Sequence, residues 1–180
     1  MEGLALGADQ AARAERDAVD ELTAQWERER PDVDVSPMGV IGRVSRLSRV
    51  FERRLKDYFA THGLEPWEFD VLASLRRSGA PYELTAGALL KSAMVTSGAI
   101  TNRIDRLEAK GLVRRGQSPD DRRSVRVRLT DEGLKVVDDV LVGHIANEEA
   151  LLAPLSPMER ELLIKLLRML LVEHGDTSLG

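Results

Sequence analysis

The chain contains no cysteine. That excludes disulfides, thiolate metal sites and cysteine-based redox sensing. It has no apolar run long enough to span a membrane. Its start, MEGLALGADQ, lacks the basic cluster and apolar stretch of a secretory signal. A cytoplasmic protein without membrane contact is therefore expected. There is no internal repeat, no phosphate-binding glycine loop and no nucleophile elbow. Only three histidines occur, His62, His144 and His174, and they are dispersed. His144 and Glu148 share a helical spacing that makes half a metal site or a surface or interface pair; catalytic zinc sites use about three protein ligands. No catalytic residue, metal or cofactor is expected, so an enzyme is not the expected class.

Present instead is an ordinary globular composition, with 31% charged and 43% hydrophobic residues over 180 positions. That length supports one sizeable core plus an extension. The net charge is −4, yet it is unevenly placed. Between Leu112 and Arg128 there are six arginines against two aspartates. Basic charge gathered on one short segment of an acidic chain is the footprint of a polyanionic partner.

The segment from Leu84 to Gly133 supplies the scaffold for that charge. Two short helical patterns are followed by two β-rich runs around a charged turn, then a new helix start. This is the order of a helix-turn-helix followed by a β-hairpin wing, which grips duplex DNA. In the second helix Ile100, Ile104 and Leu107 recur at helical spacing and define the buried face. Gly98, Asn102, Asp105 and Arg106 lie opposite. Thr96, Ser97 and Thr101 sit at or near the helix start, where small residues and free N–H groups suit close approach to bases and phosphates. Asn102 and Arg106 are candidate base readers, since Asn pairs with adenine and Arg with guanine; backbone phosphate contacts are the alternative. In the wing Val125, Val127 and Leu129 alternate with Arg126 and Arg128, giving one apolar and one basic face. Ser118, Pro119, Asp120 and Asp121 carry turn chemistry. Arg122 and Arg123 follow at the tip, suited to a narrow, electronegative minor groove, with Asp121 orienting one of them.

The remainder reads as helices. Disorder is expected over about the first ten residues. A charged helix from about Ala11 to Arg30 carries a thin stripe of Ala12, Val19, Leu22 and Trp26, which must dock on something. After a Pro31–Pro37 linker, a helix to about Thr61 places Ile41, Val44, Leu47, Phe51 and Leu55 on one side and a row of arginines on the remainder. Gly63 and Pro66 precede a third helix that runs to about Arg77. After the wing, Thr130 is the N-cap of a helix to about Leu152. Ser156 opens the last helix, to about Glu173, with a capping-box pattern and proline at its first position. That helix is leucine-rich on more than one side and needs cover from outside its own domain. A homodimer supplies it and presents two reading heads to a palindromic operator. The fold class is therefore mainly α with a small β-hairpin wing (α+β). It combines a winged helix-turn-helix lobe (63–130) with a helical dimerisation region (36–62 and 131–180), after an N-terminal extension with one helix (1–35).

The helix order, the SGAITNRIDRLEAKGLV segment and the DDRRS wing tip resemble the MarR family of winged-helix regulators, over about Ser36 to Val172. QWERERPD, WEFDVLASLRRSG, TNRIDRL and LVRR add a narrower similarity to its urate-responsive, PecS-like branch. That branch places a tryptophan, an aspartate and two arginines around a ligand cleft; the matching positions are Trp26, Asp70, Arg103 and Arg115. The resemblance implies a ligand-responsive regulator, a repressor, released from DNA by a small anion such as urate. It implies that Arg103 and Arg115 bind the anion's charge, that Trp26 contacts or closes over it, and that Asp70 and an arginine partner are disturbed. Arg103 flanks the buried face of its helix, and Arg115 shares strand parity with Val113, so both point away from the DNA side. Asp70 stands among Trp67, Phe69, Val71, Leu72 and Leu75, which leave little polar face. A purely structural Asp70–arginine pair, and Trp26 as a packing anchor, are the plainer readings. Citrate- or aconitate-like acids as effectors, or an architectural DNA-binding protein without effector, are the alternative functions.

Overall fold

The computed structural model describes residues 16–92, 97–117 and 125–178. The expected N-terminal disorder, Thr96, and the wing tip with Arg122 and Arg123 lie outside the described residues. The chain divides into two compact units, Met1–Arg53 and Arg54–Gly180.

In the first unit, α1 (Ala18–Glu29) starts at Asp17, whose carboxylate accepts the N–H groups of Val19 and Asp20. Asp20 returns the bond to the Asp17 N–H, a reciprocal cap that satisfies otherwise orphaned donors. Pro31 bars the helix from continuing much beyond Glu29. The second helix, α2 (Ser36–Thr61), receives α1 on its first half. Val19 is buried against Gly42, where even a methyl group would crowd it. Arg43 bridges back to Asp17 and Asp20 at 2.8 and 2.6 Å. Of the expected α1 stripe, Val19 is the anchor, whereas Leu22 and Trp26 remain exposed. On α2, Ile41, Val44 and Leu47 are likewise exposed in the single chain.

The second unit carries the end of α2, then α3 (Pro66–Arg77), β1 (Glu83–Thr85), α4 (Ala86–Ser92), α5 (Ser97–Ala109), β2 (Val113–Gln117), β3 (Val125–Leu129), α6 (Asp131–Leu151) and α7 (Pro157–Glu173). Helices α4 and α5 and strands β2 and β3 stand where the pattern of the sequence puts two helices and a β-hairpin. The antiparallel sheet has a third strand that periodicity does not reveal, because β1 has only three residues. It pairs with β3 through Leu84↔Val127, giving the order β1-β3-β2. Val127 and Leu129 face the core, where Val113, Leu107, Ile104 and Leu72 meet them. Val125 departs from the expected apolar face and is 44% exposed, at the end of β3 farthest from the core residues.

Two local devices fix α6. Thr130 accepts the Gly133 N–H and donates to the Gly111 carbonyl. Gly133 then passes so close to the Leu112 carbonyl that any side chain there would collide with it. Ser156 caps α7 as expected, with Glu159 closing the box. Among the described residues of α7 not one is buried.

Candidate nucleic-acid interface and effector site

Helix α5 is held by Ile100, Ile104 and Leu107, all buried. Its other sides are therefore fixed in direction, since each residue turns the helix by about 100°. Ser97 and Gly98 open the helix. Thr101 and Asn102 are exposed one turn later, free of the core. Arg106 is also exposed, but it has a partner. Its guanidinium lies 5.0 Å from the centroid of the Trp67 ring. Arg103, on the flank expected for it, lies 5.2 Å from the same ring. Trp67 stands in the first turn of α3, partly buried against the core.

One turn further along α3 is Asp70. Its side chain is accessible, yet protein crowds the carboxylate enough that desolvation raises its pKa; the positive charges of Arg77 and Arg103 oppose that rise. Asp70 makes no ion pair within 4 Å among the described residues, so the plain structural salt bridge does not form. Beside it, His144 on α6 packs against Phe59 and Phe69, each at 5.1 Å between centroids. His144 Nε2 is 3.3 Å from Glu148. Tyr58 completes this aromatic layer, donating to the Val140 carbonyl at 2.8 Å, and Gly143 leaves room for its hydroxyl.

Arg115 sits elsewhere. From β2 it reaches Asp105 at 2.5 Å and Glu108 at 2.9 Å, and donates to the Thr101 carbonyl at 3.2 Å. Its backbone N–H also donates to Glu108. The strand parity is as expected, but the charge stops at the helix instead of entering the core. Asp105 and Arg103 are two positions apart on α5, hence about 200° apart in direction. The two arginines thus occupy opposite flanks of α5. Spacing along the chain hides this, because it says nothing of which carboxylates a long side chain will find. Trp26 is 46% exposed within the first unit, so it is no buried packing anchor there.

In the sequence Trp67 reads only as an apolar residue of α3, and no local pattern singles out Arg77 or Glu108. The one available signal was that Trp67 precedes Asp70 by one helical turn, on the same side. On the wing, Arg126 pairs with Glu83 at 3.1 Å, while Arg114 is exposed.

An ionised carboxylate held in a desolvated place without a close partner weakens the fold. Because the folded-state pKa of Asp70 is raised, the native state favours the protonated form. Stability is then fully present below the unfolded pKa and is lost as pH rises through the folded pKa. Asp70→Asn is therefore expected to raise the thermal midpoint at pH 7, with the advantage vanishing at acid pH. A midpoint lowered by the substitution at neutral pH would show that the carboxylate stabilises the fold.

Three comparisons bear on this geometry. A profile of the MarR family matches residues 62–124. The chain is 43% identical over 142 residues to the HTH-type transcriptional regulator PecS of Dickeya dadantii, covering 79% of this chain and 86% of that protein. Among solved structures, a mutant of Escherichia coli MarR complexed with operator DNA is similar with a TM-score of 0.66 and 30% identity, over 77% of this chain and 99% of that one. Bordetella bronchiseptica BpsR, described as regulated in DNA binding by 6-hydroxynicotinic acid, matches with a TM-score of 0.60 and 26% identity, over 71% of this chain and 98% of that one.

Proposed function

The chain belongs to the MarR family of winged-helix transcriptional regulators, and from that membership we propose that it is a homodimeric repressor released from a palindromic operator by a small anionic metabolite. One observation carries the effector half of this reading. Arg103 belongs to the recognition helix α5 and also to the charge cluster formed with Asp70 and Trp67. An anion drawn to Arg103 is repelled by Asp70 and must shift either the carboxylate or the helix. On the opposite flank, Arg115 ties Asp105 and Glu108 to the wing, so helix and wing move together. Two heads shifted in this way no longer match grooves about one helical turn apart.

In this reading Ser97, Gly98, Thr101, Asn102 and Arg106 face the major groove, with Thr96, Arg122 and Arg123 adding contacts at the helix start and wing tip. Residues 63–130 form the reading lobe, and 36–62 with 131–180 pair the two chains. Trp26 enters only through the resemblance to the PecS-like branch. Relatives described in complex with operator DNA and as regulated by 6-hydroxynicotinic acid support an effector of the urate type, with citrate and aconitate as rivals.

The test is a mobility shift on a palindromic duplex selected by the protein from a random pool. One of urate, citrate and aconitate is expected to weaken binding by about 5–150-fold, the range of ordinary regulatory coupling. Asp70→Asn and Arg103→Ala should each raise the concentration needed for half release. Unchanged affinity at saturating levels of all three acids would sink this effector class and leave a DNA-binding protein without such a switch.

A further inference from the structure

Trp67 takes part in no step of the function proposed above, yet it holds two arginines of the recognition helix. Arg103 and Arg106 are one turn apart on α5, and both guanidiniums lie within the distance of about 6 Å over which cation–π attraction acts. Two like charges at that spacing repel. The negative face of the indole is what offsets the repulsion. Arg103 has a second attraction, the charge of Asp70. For Arg106 the ring is the one partner found among the described residues. Arg106 is exposed and stands next in direction to Asn102, on the side of α5 turned from the core. A guanidinium seated on an indole is not free to lie along a base edge.

We propose that Trp67 is a positioning residue for DNA binding: its ring holds Arg106 back from the duplex and gives it up when the operator is bound. The inference rests on reading α5 as the recognition helix of a DNA-binding regulator. Operator binding then exchanges one contact of Arg106 for another, and the ring's hold subtracts from affinity. The same ring holds Arg103, so Trp67 joins the effector flank of α5 to its DNA side. When an anion takes Arg103, the ring is left to Arg106 alone.

The experiment is a double-mutant cycle on the selected palindromic duplex, with full-length Trp67→Leu, Arg106→Ala and the double variant. Leucine keeps apolar packing on the core and removes the π-face. Trp67→Leu is expected to tighten binding about two- to five-fold, the fold-change corresponding to an exposed cation–π contact. In the Arg106→Ala background the same change should do nothing. Trp67→Phe, which keeps a weaker ring face, should fall between wild type and leucine and guards against a leucine variant that folds poorly. In a Trp26→Phe protein, Trp67 emission should change on adding the duplex, as Arg106 leaves the ring. Three results would overturn the proposal: Trp67→Leu weakening binding, Trp67→Leu shifting affinity equally with and without Arg106, or an emission unmoved by DNA. Arg106→Ala leaving affinity untouched would overturn it as well, by removing Arg106 from the readers while the regulator reading survives. Failure of the wild-type protein to select any duplex would instead bring down that underlying reading.

Discussion

Replacing Leu166 and Leu170 by glutamate is expected to leave the protein unable to dimerise and to lower its affinity for a palindromic duplex by on the order of 10²–10⁴-fold, the gain that linking two reading heads confers. The basis is the surface of α7. Leu162, Leu163, Leu166, Leu167, Leu170 and Leu171 are each between 39% and 55% exposed in the single chain. Helix α6 adds Val142, 74% exposed, and Ile145. Exposed large apolar side chains gathered on neighbouring turns in this way mark an interface. A second copy would bring cover for these side chains. An obligate pair should bury more than about 2,000 Å² in doing so. Leu166 and Leu170 lie one turn apart at the middle of the broadest apolar side, so two glutamates there place four unpaired carboxylates at the dimer contact. Sedimentation velocity at micromolar concentration checks the assembly, circular dichroism the fold, and a mobility shift the DNA. A double variant that still sediments as a wild-type dimer would remove α7 from the interface.

Lys110→Met should lower folding stability by about 1–3 kcal/mol, the cost of leaving the buried Glu68 carboxylate without its half-exposed charged partner. Glu68 is completely buried in the first turn of α3. Its Oε2 accepts from Lys110 Nζ at 2.6 Å and from the Glu65 N–H at 2.9 Å. Oε1 finds no partner among the described residues. Lys110 also donates to the Gly63 carbonyl, closing the loop before α3 against the end of α5. Methionine preserves the stem and removes the charge, so the carboxylate stays buried with a single neutral donor. Denaturant unfolding measures the loss. Adding Glu68→Gln to the Met variant should recover much of it, because the uncompensated charge is then gone. A Lys110→Met protein within about 0.5 kcal/mol of wild type would mark the pair as an ordinary surface bridge, whose worth is small.

The elements of this chain were legible where the interactions that make them are local. Thr130 and Ser156 cap helices through bonds to residues three positions on, and both are visible as patterns. Ile100, Ile104 and Leu107 define a buried face by spacing alone. Val127 and Leu129 do so by alternation, though Val125 shows that alternation cannot tell where the core ends. Strand β1 escaped notice because three residues carry no period, and only the free edge of β3 made them a strand.

The site divides along the same line. Helical spacing was enough to say which side of α5 faces inward, and so placed Arg103 on a flank and Asn102 outside. What each long side chain meets was settled by the packing of distant elements. Arg115 turned to Asp105 and Glu108, Arg106 joined Arg103 on Trp67, and Asp70 stayed without a close partner. The physical reason is reach. A helical or strand period is set by backbone geometry within a few residues. An arginine spans several ångströms and selects its partner among groups from other helices and strands, and their positions exist only once those elements have packed.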